Sequence, residues 1–283
     1  MKPEWKARLD SFRLEKLGDL FRVSKPVLGM VHCWPMPGAP GYGGGGLDPI
    51  VDAARRDAEA LIAGGVDGLI VENMWDIPFR AGPKIAPESI ASHAVVARAI
   101  RGMTSLPLGI NVVHNGGVAL LGIALASGAD FMRVCMFTGA GVWDAGEWDE
   151  GCAADLMRRR AELGAQSIKV FADVDKKHSV RFPGIDLRTH VEWTRFFGAD
   201  ALIVSGRMTG DAPDLGKVRE ARVHAGETPL LVGSGATAEN VAAFLSVADG
   251  VIVGSSIKAE GRCENPVDVE RVKRFVAAAR TDA

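Results

Sequence analysis

Cysteine is sparse and unpatterned in this chain of 283 residues: four thiols, Cys33, Cys135, Cys152 and Cys263, with no CxxC pair and no metal-finger spacing. That argues against a disulfide-stapled secreted scaffold or a zinc module and reads as buried thiols in a reducing compartment. An excess of one charge is also missing. Lys and Arg number 33 against 35 Asp and Glu, a net charge of -2. No basic field exists to draw nucleic acid or anionic lipid, so neither is expected as a partner. No run of about twenty apolar residues suggests a membrane span. Met1 to Lys25 carries charges throughout instead of an uninterrupted apolar stretch, so no signal peptide is expected and the protein reads as cytoplasmic.

What is present is material for a core. Hydrophobic residues make up 47% and charged residues 24%, the balance of a soluble globular protein with a large buried interior. Short apolar runs bounded by turn residues fall at 27–32, 68–72, 108–113, 131–135, 168–173, 201–205, 230–233 and 250–254, giving eight candidate strands. Helical character lies between them, as at 49–63, 89–101, 117–127, 153–163 and 238–245. Strand-then-helix alternation predicts a parallel sheet. One turn, a small or glycine residue followed by Asp, recurs before strands at 63–68, 126–130, 197–200 and 246–250. Glycine ends the helix and Asp leads into the next strand, so the chain reads as repeated similar units.

The reading is an α/β fold, a single (β/α)8 TIM barrel over 25–283 with an N-terminal helical extension over 1–24 whose Phe12, Leu14, Leu17, Leu20 and Phe21 are placed to cap it. A doubly wound open sheet is the alternative, with the same alternation and usually fewer strands. Two C-terminal loops favour the barrel. Leu-Leu-Val-Gly-Ser-Gly at 230–235 and Gly-Val-Ile-Val-Gly-Ser-Ser at 250–256 each end an apolar strand in a Gly/Ser turn. Such turns free backbone N–H groups for an anion, and the loops after strands seven and eight are the usual phosphate site of these barrels. Gly233, Ser234, Gly235, Gly254 and Ser255 are the phosphate candidates, joined by Ser205 and Gly206 at the end of strand six.

Catalytic groups in such barrels project from the carboxyl ends of strands. The candidates there are Glu72, Asn111, Arg133, Asp173, Lys177 and His178. Buried carboxyls such as Glu72 and Asp173 suit proton transfer, and the competing reading makes them charge partners of Arg133, Lys177 or Lys169. Lys176, Lys177 and His178 follow Asp173 in one loop and bring cation, base and carboxylate within reach of one substrate; the alternative is a solvated charged loop. Lys169 shares the strand parity of Asp173, so it either enters the interior as a Schiff-base lysine or snorkels outward. A divalent metal on His32, Glu72 and His114 or His178 is a further alternative, against hydrogen-bonded core histidines. No other cofactor is indicated. The glycine run at 41–46 reads as a lid or a plain loop, and Trp143 and Trp148 as stacking or packing residues.

Together these residues resemble the BtpA/SgcQ family of phosphate-binding barrels. The resemblance spans most of the chain and rests on Lys-Pro-Val-Leu-Gly-Met-Val-His at 25–32, Gly-Leu-Ile-Val-Glu-Asn at 68–73, Thr138-Gly139-Ala140, Lys-Val-Phe-Ala-Asp-Val at 169–174, Lys177-His178, Thr209-Gly210 and the two C-terminal loops. It implies a ribulose-phosphate-binding-type barrel, oligomeric, acting on a phosphorylated sugar or nucleoside-like sugar phosphate in carbohydrate metabolism. A photosynthetic branch of the family is tied to photosystem I, which implies the alternative of a non-catalytic assembly or regulatory factor. The chain departs from the family's pattern where His114-Asn115-Gly116 replace Arg-Asn-Asp and Cys135 replaces Asn. Losing a cation and a carboxylate there alters what the mouth can bind.

Overall fold

The structure, a computed structural model, describes residues 13–281. Eight parallel strands close into a barrel: β1 (Val27–His32), β2 (Gly68–Glu72), β3 (Leu108–Asn111), β4 (Phe131–Val134), β7 (Lys169–Val174), β9 (Ala201–Val204), β10 (Leu230–Val232) and β11 (Gly250–Val253). Their order round the barrel is β1-β11-β10-β9-β7-β4-β3-β2, so the last strand pairs with the first and the open-sheet alternative is ruled out. Several strands stop one or two residues before the ends of their apolar runs. The flanking helices are α2 (Asp48–Gly64), α3 (Pro87–Arg101), α4 (Gly117–Ser127), α5 (Ala153–Glu162), α6 (Leu187–Phe196), α7 (Leu215–Ala225), α8 (Val241–Leu245) and α9 (Val269–Arg280).

Period-two alternation sorts each strand into two faces. One face packs outward on the helices, as with Val31, Leu69, Val71, Ile110, Val170 and Leu202. The other fills the barrel with Leu28, Met30, Ile70, Phe131, Phe171, Ile203, Leu231 and Ile252. Phe131 and Phe171 stack at 4.7 Å between ring centroids, and Phe21 meets each edge-on at 5.6 and 6.1 Å. Phe21 belongs to α1 (Leu17–Phe21), which plugs the amino-terminal end of the barrel. Of the extension expected over 1–24, Phe12 and the residues before it lie outside the described residues.

The recurring Gly/Asp turn has a structural job beyond ending helices. Gly65, Gly128 and Gly198 take left-handed φ values of 88°, 75° and 97°. The Asp that follows each one, and Asp249 in the fourth copy, bonds the foot of the neighbouring strand twice. Backbone N–H groups of Asp67, Asp130, Asp200 and Asp249 donate to the carbonyls of Val27, Leu108, Val170 and Leu230. Their carboxylates accept the N–H groups of those same four residues at 2.8 Å. Replacing Asp130 with Ala leaves the Leu108 N–H buried without an acceptor and removes the partner of Arg101, 2.9 Å away. A loss of about 1–2 kcal/mol is expected, read as a lower urea midpoint at unchanged slope.

The β4–α5 connection expected as a loop carries structure. β5 (Ala140–Trp143), β6 (Trp148–Glu150) and β8 (Ser179–Arg181) form a small antiparallel sheet in the order β6-β5-β8 over one side of the mouth. Trp143 is buried in it and Trp148 stands exposed, edge-on to Phe182. No helix among the described residues is long and apolar enough to cross a membrane.

Candidate active site

The inward face that fills the barrel continues upward into polar residues at the carboxyl ends of the same strands. By parity His32 follows Met30, Glu72 follows Ile70, Asn111 follows Gly109, Arg133 follows Phe131, Asp173 follows Phe171 and Ser205 follows Ile203. Above them lies a cavity bounded by His32, Glu72, Arg133, Lys177, the 233–237 turn and the 254–256 turn, with Thr209 and Gly210 along one edge.

The two C-terminal turns face each other across this cavity. Among the described residues no acceptor takes the backbone N–H of Ser234, Gly235, Ala236, Gly254, Ser255 or Ser256. The Ser256 hydroxyl donates to the Ala236 carbonyl at 2.6 Å and ties the turns together. Gly235, at φ 66°, lies so close to the 211–212 segment that a Cβ would overlap the backbone of Asp211 and Ala212. The Ser234 hydroxyl accepts from Gly206 N–H at 2.9 Å and donates to the Asp211 carbonyl at 3.0 Å, joining the first turn to the 206–212 loop. Gly233 N–H continues the ladder to Val204, and Ser205 and Gly206 lie behind the cavity wall.

Arg133 and Asp173, 3% and 1% exposed, form a forked pair: Nε and Nη2 each donate at 2.9 Å to one carboxylate oxygen. The Ser205 hydroxyl donates to Oδ1 at 3.0 Å. Burial works against the guanidinium's charge, yet attraction and hydrogen bonds from Asp173 outweigh it and hold the pKa above that of ordinary arginine. Of the two sequence readings of Asp173, the geometry matches the charge partner: its oxygens hold Arg133, and Arg133 lines the cavity.

Glu72 is the carboxylate that reaches the cavity. Asn111 Nδ2 makes a short hydrogen bond to Oε2 and accepts at Oδ1 from the Cys135 thiol at 3.4 Å. Glu72 Oε1 faces His32 Nε2 at 3.8 Å. Burial, then the charges of Lys258, Lys177 and Arg133, hold the His32 pKa well below the usual histidine value. Lys177 makes no hydrogen bond or ion pair with any described residue and points its ammonium at the same space. Its pKa is lowered, first by burial, with Glu72 opposing.

Three members of the expected 176–178 cluster part company. Lys176 turns under the small sheet, against the Trp143 ring and 3.1 Å from His114 Nδ1, and burial pushes its pKa down to about 8. Only Lys177 enters the cavity. His178, with left-handed φ of 60°, places Nδ1 2.9 Å from Asp144 Oδ2 and accepts at Nε2 from the Thr209 N–H at 3.2 Å. Its N–H also donates to the Arg207 carbonyl, so His178 fastens the 207–210 loop that edges the cavity.

His114 lies among Phe79, Trp143 and Lys176, so His32, Glu72 and His114 do not converge, nor does His178 join them. Among the described residues no three His, Cys, Asp or Glu side chains have a metal-binding arrangement. Lys169 opens β7 beside Asp200 at the amino-terminal end, with Phe171 between it and Asp173. A Cβ on Gly44, Gly45 or Gly46 would meet nothing within 4 Å, the Gly46 N–H donates to the Tyr42 hydroxyl at 3.1 Å, and all three lie outside the cavity lining. Sequence reading weighed His32 only as a metal ligand or core histidine and passed over Cys263. The strand-end rule points to His32, whereas nothing local marks Cys263.

Fold and site thus define a (β/α)8 barrel whose polar cavity sits at the carboxyl ends of its strands, roofed by two turns rich in free N–H groups. The chain belongs to the BtpA family, whose model matches residues 23–281. It is 43% identical over 257 residues to an uncharacterized protein of Thermococcus kodakarensis, covering 90% of this chain and 95% of that one. It is 38% identical over 259 residues to the photosystem I biogenesis protein BtpA of Synechocystis sp., covering 91% of this chain and 89% of that one. Among solved structures, N-(5'-phosphoribosyl)anthranilate isomerase from Pyrococcus furiosus shares the fold at a TM-score of 0.54 and 15% identity, over 90% of this chain and 98% of that one.

Proposed function

We propose that this chain is an enzyme acting on a phosphorylated sugar or nucleoside-like sugar phosphate, by isomerisation, aldol-type cleavage or glycosidic-bond cleavage. One observation carries the reading: unpaired N–H groups from two Gly/Ser turns and the unpaired Lys177 ammonium face one cavity. Backbone N–H groups and a fixed cation together suit a phosphate dianion. Phosphate sits on Ser234, Gly235, Gly254 and Ser255, and the sugar extends toward Glu72. Glu72 moves the proton, Asn111 orients it, and Arg133 and Lys177 stabilise developing negative charge. Asp173 and His178 are positioning residues, one for Arg133 and the other for the Thr209–Gly210 edge.

A second reading, a non-catalytic assembly factor, has two supports: the BtpA relative's name and the exposed apolar Val142, Trp148, Val180 and Phe182 on and beside the small sheet. A thermal-shift series with inorganic phosphate, pentose and hexose phosphates and their unphosphorylated sugars separates the two. A ligand at a hundredfold excess over its dissociation constant adds about 2.7 kcal/mol, several degrees of melting temperature. One sugar phosphate is expected to stabilise well beyond inorganic phosphate, and its plain sugar not at all. Indifference to every phosphorylated compound overturns the enzyme reading.

A further inference from the structure

His32 is the cavity group for which the reading above has no use. It ends β1 with its ring edge against the second anion turn: a Cβ on Gly254 would lie 3.1 Å from Cε1 and 3.4 Å from Nε2. On the far side of the ring, Nδ1 is 3.4 Å from Cys263 Sγ. Lys258 holds the 258–267 segment carrying that cysteine, through a buried ion pair to Asp57 at 2.9 Å and a bridge to Val267. The Cys263 thiol, whose pKa burial raises, can donate to Nδ1, while the Glu72 carboxylate, which can only accept, faces Nε2; this pair of neighbours suits the tautomer that carries its proton on Nε2. In that tautomer the Nε2–H has no acceptor within hydrogen-bond range among the described residues, and Glu72 Oε1 lies 3.8 Å from Nε2. Glu72 Oε2 is already held by Asn111, leaving Oε1 as the free oxygen. A fixed donor and a free carboxylate oxygen therefore stand side by side, next to the turn that holds the phosphate.

We propose that His32 and Glu72 are an enolising pair, which makes the reaction a proton transfer between adjacent carbons of a sugar phosphate carbonyl compound. The inference rests on the phosphate reading above. Glu72 removes the hydrogen from the hydroxyl-bearing carbon beside the carbonyl. The C–H electron pair forms a carbon–carbon double bond, and the carbonyl π pair moves to oxygen. His32 Nε2–H donates to that oxygen while Lys177 balances its charge. Glu72 returns the proton to the former carbonyl carbon as the hydroxyl proton passes to the neighbouring oxygen, giving the isomer with no co-reactant. A carboxylate base beside a neutral imidazole donor suits this chemistry, because the weakly acidic imidazole N–H matches the basic enediolate oxygen without giving its proton to the carboxylate.

The test is deuterium exchange in heavy water, followed by proton NMR, with the full chain and a panel of ketose and aldose phosphates of five and six carbons. Inorganic phosphate stabilisation is measured in parallel on every variant. Wild type is expected to wash deuterium into the carbon beside the carbonyl of at least one compound. His32→Gln is expected to slow that exchange roughly a hundredfold, the scale of one general acid–base group, with phosphate stabilisation unchanged. His32→Asn replaces it if the glutamine variant melts early. Exchange at the wild-type rate in a folded His32 variant overturns the pair. Phosphate stabilisation without exchange of any compound overturns the pair and leaves the phosphate site standing. Absence of phosphate stabilisation in wild type overturns both.

Discussion

Arg133→Met is expected to cost about 3–5 kcal/mol of folding stability, the range for breaking a buried ion pair by removing one partner, and to abolish sugar phosphate binding as well. Asp173, 1% exposed, would be left with the Ser205 hydroxyl as its hydrogen-bond partner in place of a two-bond fork at 2.9 Å. The double variant Arg133→Met with Asp173→Leu separates the two effects. Removing both charges in favour of apolar groups of similar size is often neutral or stabilising, so urea unfolding is expected to return close to wild type. Calorimetric titration with the stabilising sugar phosphate is expected to stay silent, because the cation at the cavity wall is still gone. If the double variant recovers binding together with stability, Arg133 is structural only.

Gly235→Val is expected to weaken inorganic phosphate binding at least a hundredfold. A β-branched residue at φ 66° is strained wherever it sits, by about 1–3 kcal/mol. Here the side chain also overlaps the backbone of Asp211 and Ala212. The 206–212 loop must move away, breaking both hydrogen bonds of the Ser234 hydroxyl and turning the N–H groups of the first turn off the phosphate. Gly122→Ala is the control: a Cβ there meets nothing within 4 Å in the middle of α4, and helix propensity favours alanine by up to about 1 kcal/mol. Equal phosphate affinity in the Gly235 variant and the control would show that the turn's geometry is not what binds the anion.

The amino-acid sequence by itself determined the barrel and the level at which its site lies. Short apolar runs bounded by turn residues, helical segments between them and a Gly/Asp turn before several strands are local patterns, and each acts within one repeat unit. Parity then carries the inward face from Ile70 to Glu72 and from Phe131 to Arg133, and Gly/Ser turns announce free N–H groups wherever they fold. Pairing across the barrel was left to the tertiary structure. Asp173 meets Arg133 from 40 residues away and Cys263 meets His32 from 231 away, distances in sequence that no local pattern encodes. Lys176 and Lys177 are neighbours with like chemistry, yet one packs under Trp143 and the other enters the cavity. Left-handed backbone at Asp175 and His178 flanks them on either side, with contacts to Arg181, Lys217, Asp144 and Thr209. Local patterns decide which residues reach the mouth; closure of the barrel and the packing of its loops decide which of them face one another.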